Sequence, residues 1–397
     1  MRKSLFVTMF VLLVAAMVLT ACGQAATPTA TTAPTTEVMN TSAPATTPMP
    51  APTATLAPGS VQVNAGGGTF PLPVYTQWTY AYQYVDPSVV INYQGIGSGA
   101  GKSGILDNTL DFAGSDSLLS SDQYTQGKDL QMYPTLAGAV VPVYNLSWAK
   151  AFDATAKIPA LVLDRQTLVD IYNAKVTKWN DPAIVKLNPG LDGYLPDATI
   201  TAVHRSDGSG TTEIFTKALT AFSADWTAGG AQSVEWPVDK NGNGIGGKGN
   251  QGVAAAVINT KNSIGYVELS YAIANSMPMV SLVNKAGKTV VANAASVAAD
   301  MADFTTAFDD KLNATIVDGS SDGSWPITGY TYFILHTTSM TDCVKASKIV
   351  EFFTWALTDS SAGQAAAKLG YSVLPTTVRD QVIAKLSAVT CDGQPVK

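Results

Sequence analysis

Along the folded part of the chain, short β-branched runs alternate with stretches whose apolar residues recur every three to four positions. Residues 61–63 precede a helical pattern over 71–84, and 89–93 precede one over 102–108. Residues 139–144 precede 167–173, and 200–203 precede 212–222, where Ile214, Phe215, Ala218, Leu219 and Phe222 share one face. Strands alternating with helices predict an α/β fold with mainly parallel sheets flanked by helices. In such sheets a ligand sits beyond the carboxyl ends of the strands, at loops that open into helices. No internal repeat is visible. The 397 residues, less an unfoldable N-terminal stretch, leave about 340, too many for one core, so two domains are expected.

Four loops are candidates. The first is Gly66-Gly67-Gly68-Thr69-Phe70-Pro71, with Pro71 placed as an early helical residue. The second, Gly95-Ile96-Gly97-Ser98-Gly99-Ala100-Gly101-Lys102-Ser103, follows the run 89–93. The third, Asp111-Phe112-Ala113-Gly114-Ser115-Asp116, delivers an acid to the same rim, unless Asp116 only caps the following segment. The fourth is His204-Arg205-Ser206-Asp207-Gly208-Ser209-Gly210-Thr211-Thr212-Glu213. Glycines keep side chains away from a helix tip, whose unpaired N–H groups and positive dipole end attract an anion. Ser209, Thr211 and Thr212 add hydroxyls, and Arg205 adds a planar fork that fits a tetrahedral oxyanion. The bland alternative is a Ser-capped helix beside an Arg–Asp surface pair.

Composition narrows the ligand. With 46% hydrophobic and 14% charged residues and a net charge of −6, the chain is a well-packed globule with no basic field, which excludes nucleic acid. Anion affinity must be local. Two histidines, His204 and His336, and three cysteines leave no set for a zinc cluster. The second loop misses a phosphate-binding P-loop at Ile96 and the dinucleotide fingerprint at Ala100. An enzyme is not expected: Ser209 lacks the glycine two positions earlier that a nucleophile elbow needs, and alternation turns His204 away from Arg205. Asp239, Asn241 and Asn243 match the start of a calcium loop, but Asn250 stands where the bidentate Glu belongs, which leaves a weak site or a plain Asn/Gly turn.

The N-terminus carries Arg2, Lys3 and an apolar run over 5–19, ending in Leu19-Thr20-Ala21-Cys22. This describes a signal peptide over 1–21. The cut before a cysteine resembles a bacterial lipobox, so Cys22 is expected to carry palmitate-type acyl chains that anchor the chain to a membrane without spanning it. Residues 22–59 form an Ala/Thr/Pro-rich tether that cannot bury enough surface to fold. Cys343 and Cys391 remain, either as one disulfide in an oxidising compartment or as two free thiols.

The four loops, with Asn92-Tyr93-Gln94, Lys178-Trp179-Asn180-Asp181, Gly246-Gly247-Lys248-Gly249-Asn250, Ile264-Gly265-Tyr266-Val267-Glu268 and Trp325-Pro326-Ile327-Thr328, resemble in order the phosphate-binding proteins of bacterial ABC importers. The likeness runs over 61–386. It implies a two-lobe periplasmic-binding-protein fold (type II) hinged between lobes, with 60–138 plus about 323–397 in lobe I and about 139–322 in lobe II. It implies inorganic phosphate held by Thr69, Phe70, Ser98, Asp116, Arg205, Ser209, Gly210 and Thr211, with Asp207 holding the Arg205 fork. It further implies an exported, monomeric protein, without cofactor, that delivers phosphate to permease subunits. Arsenate, sulfate or molybdate is the competing ligand class. His204 replaces a frequent second basic residue and Gly99 a frequent serine. Asp116 carries the selectivity argument: it can accept the proton of a phosphate, whereas sulfate has none to give.

Overall fold

The computed structural model describes residues 59–396, apart from Ala154, Ala156 and Lys157. The expected signal peptide, Cys22 and the tether as far as residue 58 lie outside the described residues. No helix among the described residues is long and apolar enough to cross a membrane.

The architecture turns on one strand. Residues 130–145, Leu-Gln-Met-Tyr-Pro-Thr-Leu-Ala-Gly-Ala-Val-Val-Pro-Val-Tyr-Asn, are almost unbroken apolar sequence, as suits a strand covered on both faces. The strands are β1 (Val61–Gly67), β2 (Val89–Gly95), β3 (Phe112–Ser115), β4 (Leu130–Asn145), β5 (Val162–Asp164), β6 (Thr201–Arg205), β7 (Gly244–Gly247), β8 (Ser263–Glu268), β9 (Ser281–Val283), β10 (Thr289–Val290), β11 (Thr328–His336) and β12 (Ser372–Val373). The large sheet runs β2-β1-β3-β11-β4-β8-β6-β7, with β12 also on β4. Up to Ala139, which faces Thr328, β4 pairs with β11; from Val140, which faces Glu268, it pairs with β8. The partner changes within one residue step.

Parallel pairing holds in the two wings, β2-β1-β3 and β8-β6-β7, which are the β–helix–β units that the alternation predicted. The middle is antiparallel: β11 runs against β3 and β4, and β4 runs against β8. These strands join segments far apart in the chain, which the local pattern does not reveal. At Pro134 the β4–β11 register slips, Thr331 facing Leu136 and Tyr332 facing Pro134. Pro134 lacks the N–H a regular ladder needs, and the slip leaves Thr135 as an extra residue. A second, small sheet is ordered β10-β9-β5.

Five helices bear on the site: α1 (Leu72–Val85), α2 (Ser98–Leu106), α3 (Gly210–Phe222), α4 (Gly249–Asn259) and α5 (Leu269–Ala274). Helix α2 starts four residues earlier than its apolar pattern suggests, so Gly99, Ala100 and Gly101 are helical and not loop. Gly97, at φ 91°, opens it. A side chain on Gly101 would meet the Gly67 Cα at 2.6 Å, so tertiary packing overrides the poor helix propensity of glycine. Cys343 and Cys391 are joined as a disulfide.

Candidate anion site

The first, second and fourth loops open into α1, α2 and α3, and the third delivers Asp116 among their N-termini. In the first loop, three tyrosine hydroxyls donate to three successive carbonyls. Tyr93 bonds Gly68 O at 3.0 Å, Tyr271 bonds Thr69 O at 2.6 Å and Tyr371 bonds Phe70 O at 2.7 Å. Tied down on the carbonyl side, the loop is held rigidly at the start of α1. In the fourth loop, Ser209 caps α3, its Oγ accepting from Thr212 N at 3.0 Å, so the Ser209 hydroxyl hydrogen stays available to a ligand.

The helix tips meet. Gly99 N donates to Gly208 O at 3.0 Å. A Cβ on Gly210 would lie 2.5 Å from the Asp116 Cβ, and one on Gly68 would lie 2.8 Å from Asp116 Oδ2. Only glycine permits this approach. Thr69, Phe70, Ser98, Asp116, Arg205, Ser209, Gly210 and Thr211, the residues expected from sequence, are therefore brought together, and all are buried.

Arg205 supplies the fixed cation. Its Nε and Nη2 donate to the two oxygens of Asp207 at 2.7 and 2.6 Å, and Nη1 reaches Thr211 Oγ1 at 3.4 Å. Burial alone would raise the Asp207 carboxyl. The Arg205 hydrogen bonds and charge, with the Gly249 amide, instead hold it below its ordinary value. Arg205 N donates to the Tyr266 hydroxyl at 3.2 Å, and the Tyr266 ring stacks on Phe215 at 4.1 Å. His204 points the other way, as alternation requires: it stacks on Trp236 and meets Asp239 Oδ1 at 2.8 Å through Nε2. That bond engages the first oxygen of the calcium-loop reading, and the segment continues as the short helix Pro237–Lys240 followed by β7.

Asp116 faces this socket from the β3 side. Its Oδ1 accepts from Thr331 Oγ1 at 2.7 Å, the residue beside the β4–β11 slip, and its Oδ2 accepts from Ser98 Oγ at 3.1 Å. Burial pushes its carboxyl up to about 7, against the lowering influence of those two hydroxyls and of Arg205. Because the Ser98 hydroxyl hydrogen is spent on Asp116, Ser98 has its backbone N–H left to offer an anion. Behind the socket Glu268, pushed up to about 8 by burial, caps α5.

Sequence reasoning missed Asn250, Thr331, Tyr271 and Tyr371. Asn250 had a signal in Gly246-Gly247-Lys248-Gly249-Asn250, a glycine-rich approach to a helix start. Thr331 and the two tyrosines sit in segments whose apolar pattern reads as core.

Helix N-termini that converge with Arg205 and Asp116 where β4 changes partners suit a protein that holds a small anionic solute. A model of the PBP superfamily domain matches residues 52–360. "Phosphate-binding protein PstS" of Xylella fastidiosa (strain Temecula1 / ATCC 700964) is 40% identical over 329 residues, covering 82% of this chain and 85% of that protein. The Pasteurella multocida (strain Pm70) protein of the same name is 39% identical over 329 residues, 82% of this chain and 89% of its own. The crystal structure of a phosphate binding protein from Stenotrophomonas maltophilia shares the fold, with a TM-score of 0.62 at 21% identity over 85% of this chain and 100% of that one. The chain belongs to the PBP superfamily and, within it, to the PstS family of phosphate-binding proteins.

Proposed function

We propose that the protein binds inorganic phosphate outside the cytoplasm, in the cleft where β4 changes partners, and hands it to an ABC importer. The observation that carries this reading is Asp116, an acid buried among anion-attracting groups. A bare anion is repelled by it, whereas a protonated phosphate oxygen can donate to it in a charge-assisted bond. The contacts would be the Thr69 hydroxyl, the Phe70, Ser98 and Gly210 amides, the Arg205 fork, and the Ser209 and Thr211 hydroxyls. Asp116 accepts the ligand proton, and Asp207 holds Arg205 in place. A handful of such bonds, at roughly 1.5–3 kcal/mol each, exceeds desolvation and closure costs enough for micromolar affinity or better.

The lobes would be 60–138 with about 323–397, and about 139–322, a division that the partner change at Ala139/Val140 supports. Closure about that point would bury the ligand. Lipidation at Cys22 and a tether over 22–59 would keep the monomer on the outer face of the membrane, within reach of the permease subunits. The family relation also speaks for transport without catalysis. Titration calorimetry of phosphate-stripped protein at pH 8 tests the reading: micromolar or tighter binding of phosphate, with sulfate bound at least about tenfold more weakly, is expected. Equal binding of both would sink the role of Asp116, and no binding of either would sink the function.

A further inference from the structure

Asn250 is fully buried and joins three segments. Its Oδ1 accepts from Glu268 N at 2.9 Å. A backbone N–H can only donate, so this bond fixes which end of the amide is which. The two Nδ2 hydrogens are thereby aimed at Thr69 Oγ1, 2.9 Å away, and Thr211 Oγ1, 3.1 Å away. Thr69 Oγ1 also accepts from Asn250 N at 3.1 Å, and Thr211 Oγ1 from Arg205 Nη1 at 3.4 Å. A hydroxyl oxygen has two acceptor lone pairs and one hydrogen. Both lone pairs of each threonine are taken, so each hydroxyl hydrogen must point elsewhere, into the socket.

We infer that Asn250 is a positioning residue that sets the polarity of the anion site. By donating to Thr69 on one side of the cleft and Thr211 on the other, it makes both hydroxyls obligatory donors toward the ligand. Without its side chain each hydroxyl would keep one donor and have its second lone pair to offer to an anion, which repels. The same amide spans the cleft, from α4 to the loop before α1, so the polarity is set only when the two sides are together. The site becomes fully anion-selective on closing. This rests on the reading of the socket as a phosphate site.

The test compares phosphate affinities by calorimetry in four proteins: the wild type, Asn250→Ala, Thr69→Val/Thr211→Val, and the triple variant. Each is first checked for an unchanged circular dichroism spectrum. Asn250→Ala should weaken phosphate binding by about tenfold or more. In the Thr69→Val/Thr211→Val background the same change should cost less than about twofold, because the hydroxyls through which it acts are gone. A merely structural asparagine would cost the same in both backgrounds, and that additive result overturns the inference. Asn250→Asp supplies a second arm. Its acceptor oxygens would draw the threonine hydrogens away from the ligand, so it should bind phosphate at least about tenfold more weakly than Asn250→Ala. Equal affinities of the two variants would likewise overturn the inference. A wild type that binds no phosphate would remove the proposed function and this inference with it. A tight wild type with additive variants would remove this inference alone.

Discussion

Replacing Asp116 with Asn should narrow the selectivity between phosphate and sulfate at pH 8. At pH 8, above the value of about 7 to which burial raises this carboxyl, the wild-type group is mostly ionised. A carboxylate and a sulfate charge roughly 4 Å apart repel by about 4 kcal/mol at the effective dielectric of a protein site. That corresponds to about a thousandfold in affinity. Sulfate escapes most of that cost by binding with Asp116 protonated, which one unit above its value takes about tenfold of affinity, so Asp116→Asn should strengthen sulfate binding by about tenfold. Phosphate loses one charge-assisted bond of about 1.5–3 kcal/mol but also sheds like charge, so its affinity should move by no more than about tenfold. The assay is calorimetry with each anion at pH 8 and fixed ionic strength, since screening alters every term. In the wild type, sulfate binding should strengthen between pH 8 and pH 5.5 as Asp116 gains its proton, and that pH dependence should vanish in the variant. A sulfate affinity unchanged within about threefold in Asp116→Asn would refute the reasoning.

Three further outcomes are expected. Gly210→Ala should fold normally yet lose phosphate by about 100-fold or more, because its Cβ would sit 2.5 Å from that of Asp116 and push the tip of α3 away; equilibrium dialysis checks this. Asp300 is fully buried, with Oδ1 on Gly319 N and no partner for Oδ2, and burial raises it from 3.8 to about 8. A carboxyl raised on folding contributes stability below its unfolded value and loses it as pH climbs through the folded one. Asp300→Asn should therefore gain roughly 2–4 kcal/mol over wild type at pH 9 and almost nothing at pH 4, read from urea midpoints, with phosphate affinity unchanged. Replacing Cys343 and Cys391 together with Ser should cost roughly 2–4 kcal/mol of stability, with the same phosphate affinity, because the bond ties the antiparallel pair Thr390–Cys391 and Gln394–Pro395 to the helix Cys343–Thr358 and not to the anion site.

The wings of the sheet and the site loops were legible because their signals are local. A β-branched run, a glycine cluster and a 3.6-residue pattern lie within one window each, as in 200–222. The antiparallel middle was not, since nothing in 130–145 announces that its partner lies near residue 330. The polar groups that finish the site share this difficulty. Tyr271 and Tyr371 look like core residues until the fold sets their hydroxyls against Thr69 O and Phe70 O. Thr331 sits inside an apolar strand, and its meaning depends on a register slip made by a proline nearly two hundred positions away. The Ser98 hydroxyl, a reasonable donor to an anion by type, is engaged by Asp116 instead.

The shared strand β4 also imposes an order in time. Its second half is satisfied by β8, at residues 263–268, whereas its first half and β3 wait for β11, at 328–336. A chain that appears from its N-terminus makes the inner half of the sheet before the outer half can close. During that interval β3 and the first half of β4 present unpaired, apolar edges, the kind of surface on which nascent chains aggregate. The earliest segments to appear are thus among the last to be locked, and Cys391 follows later still.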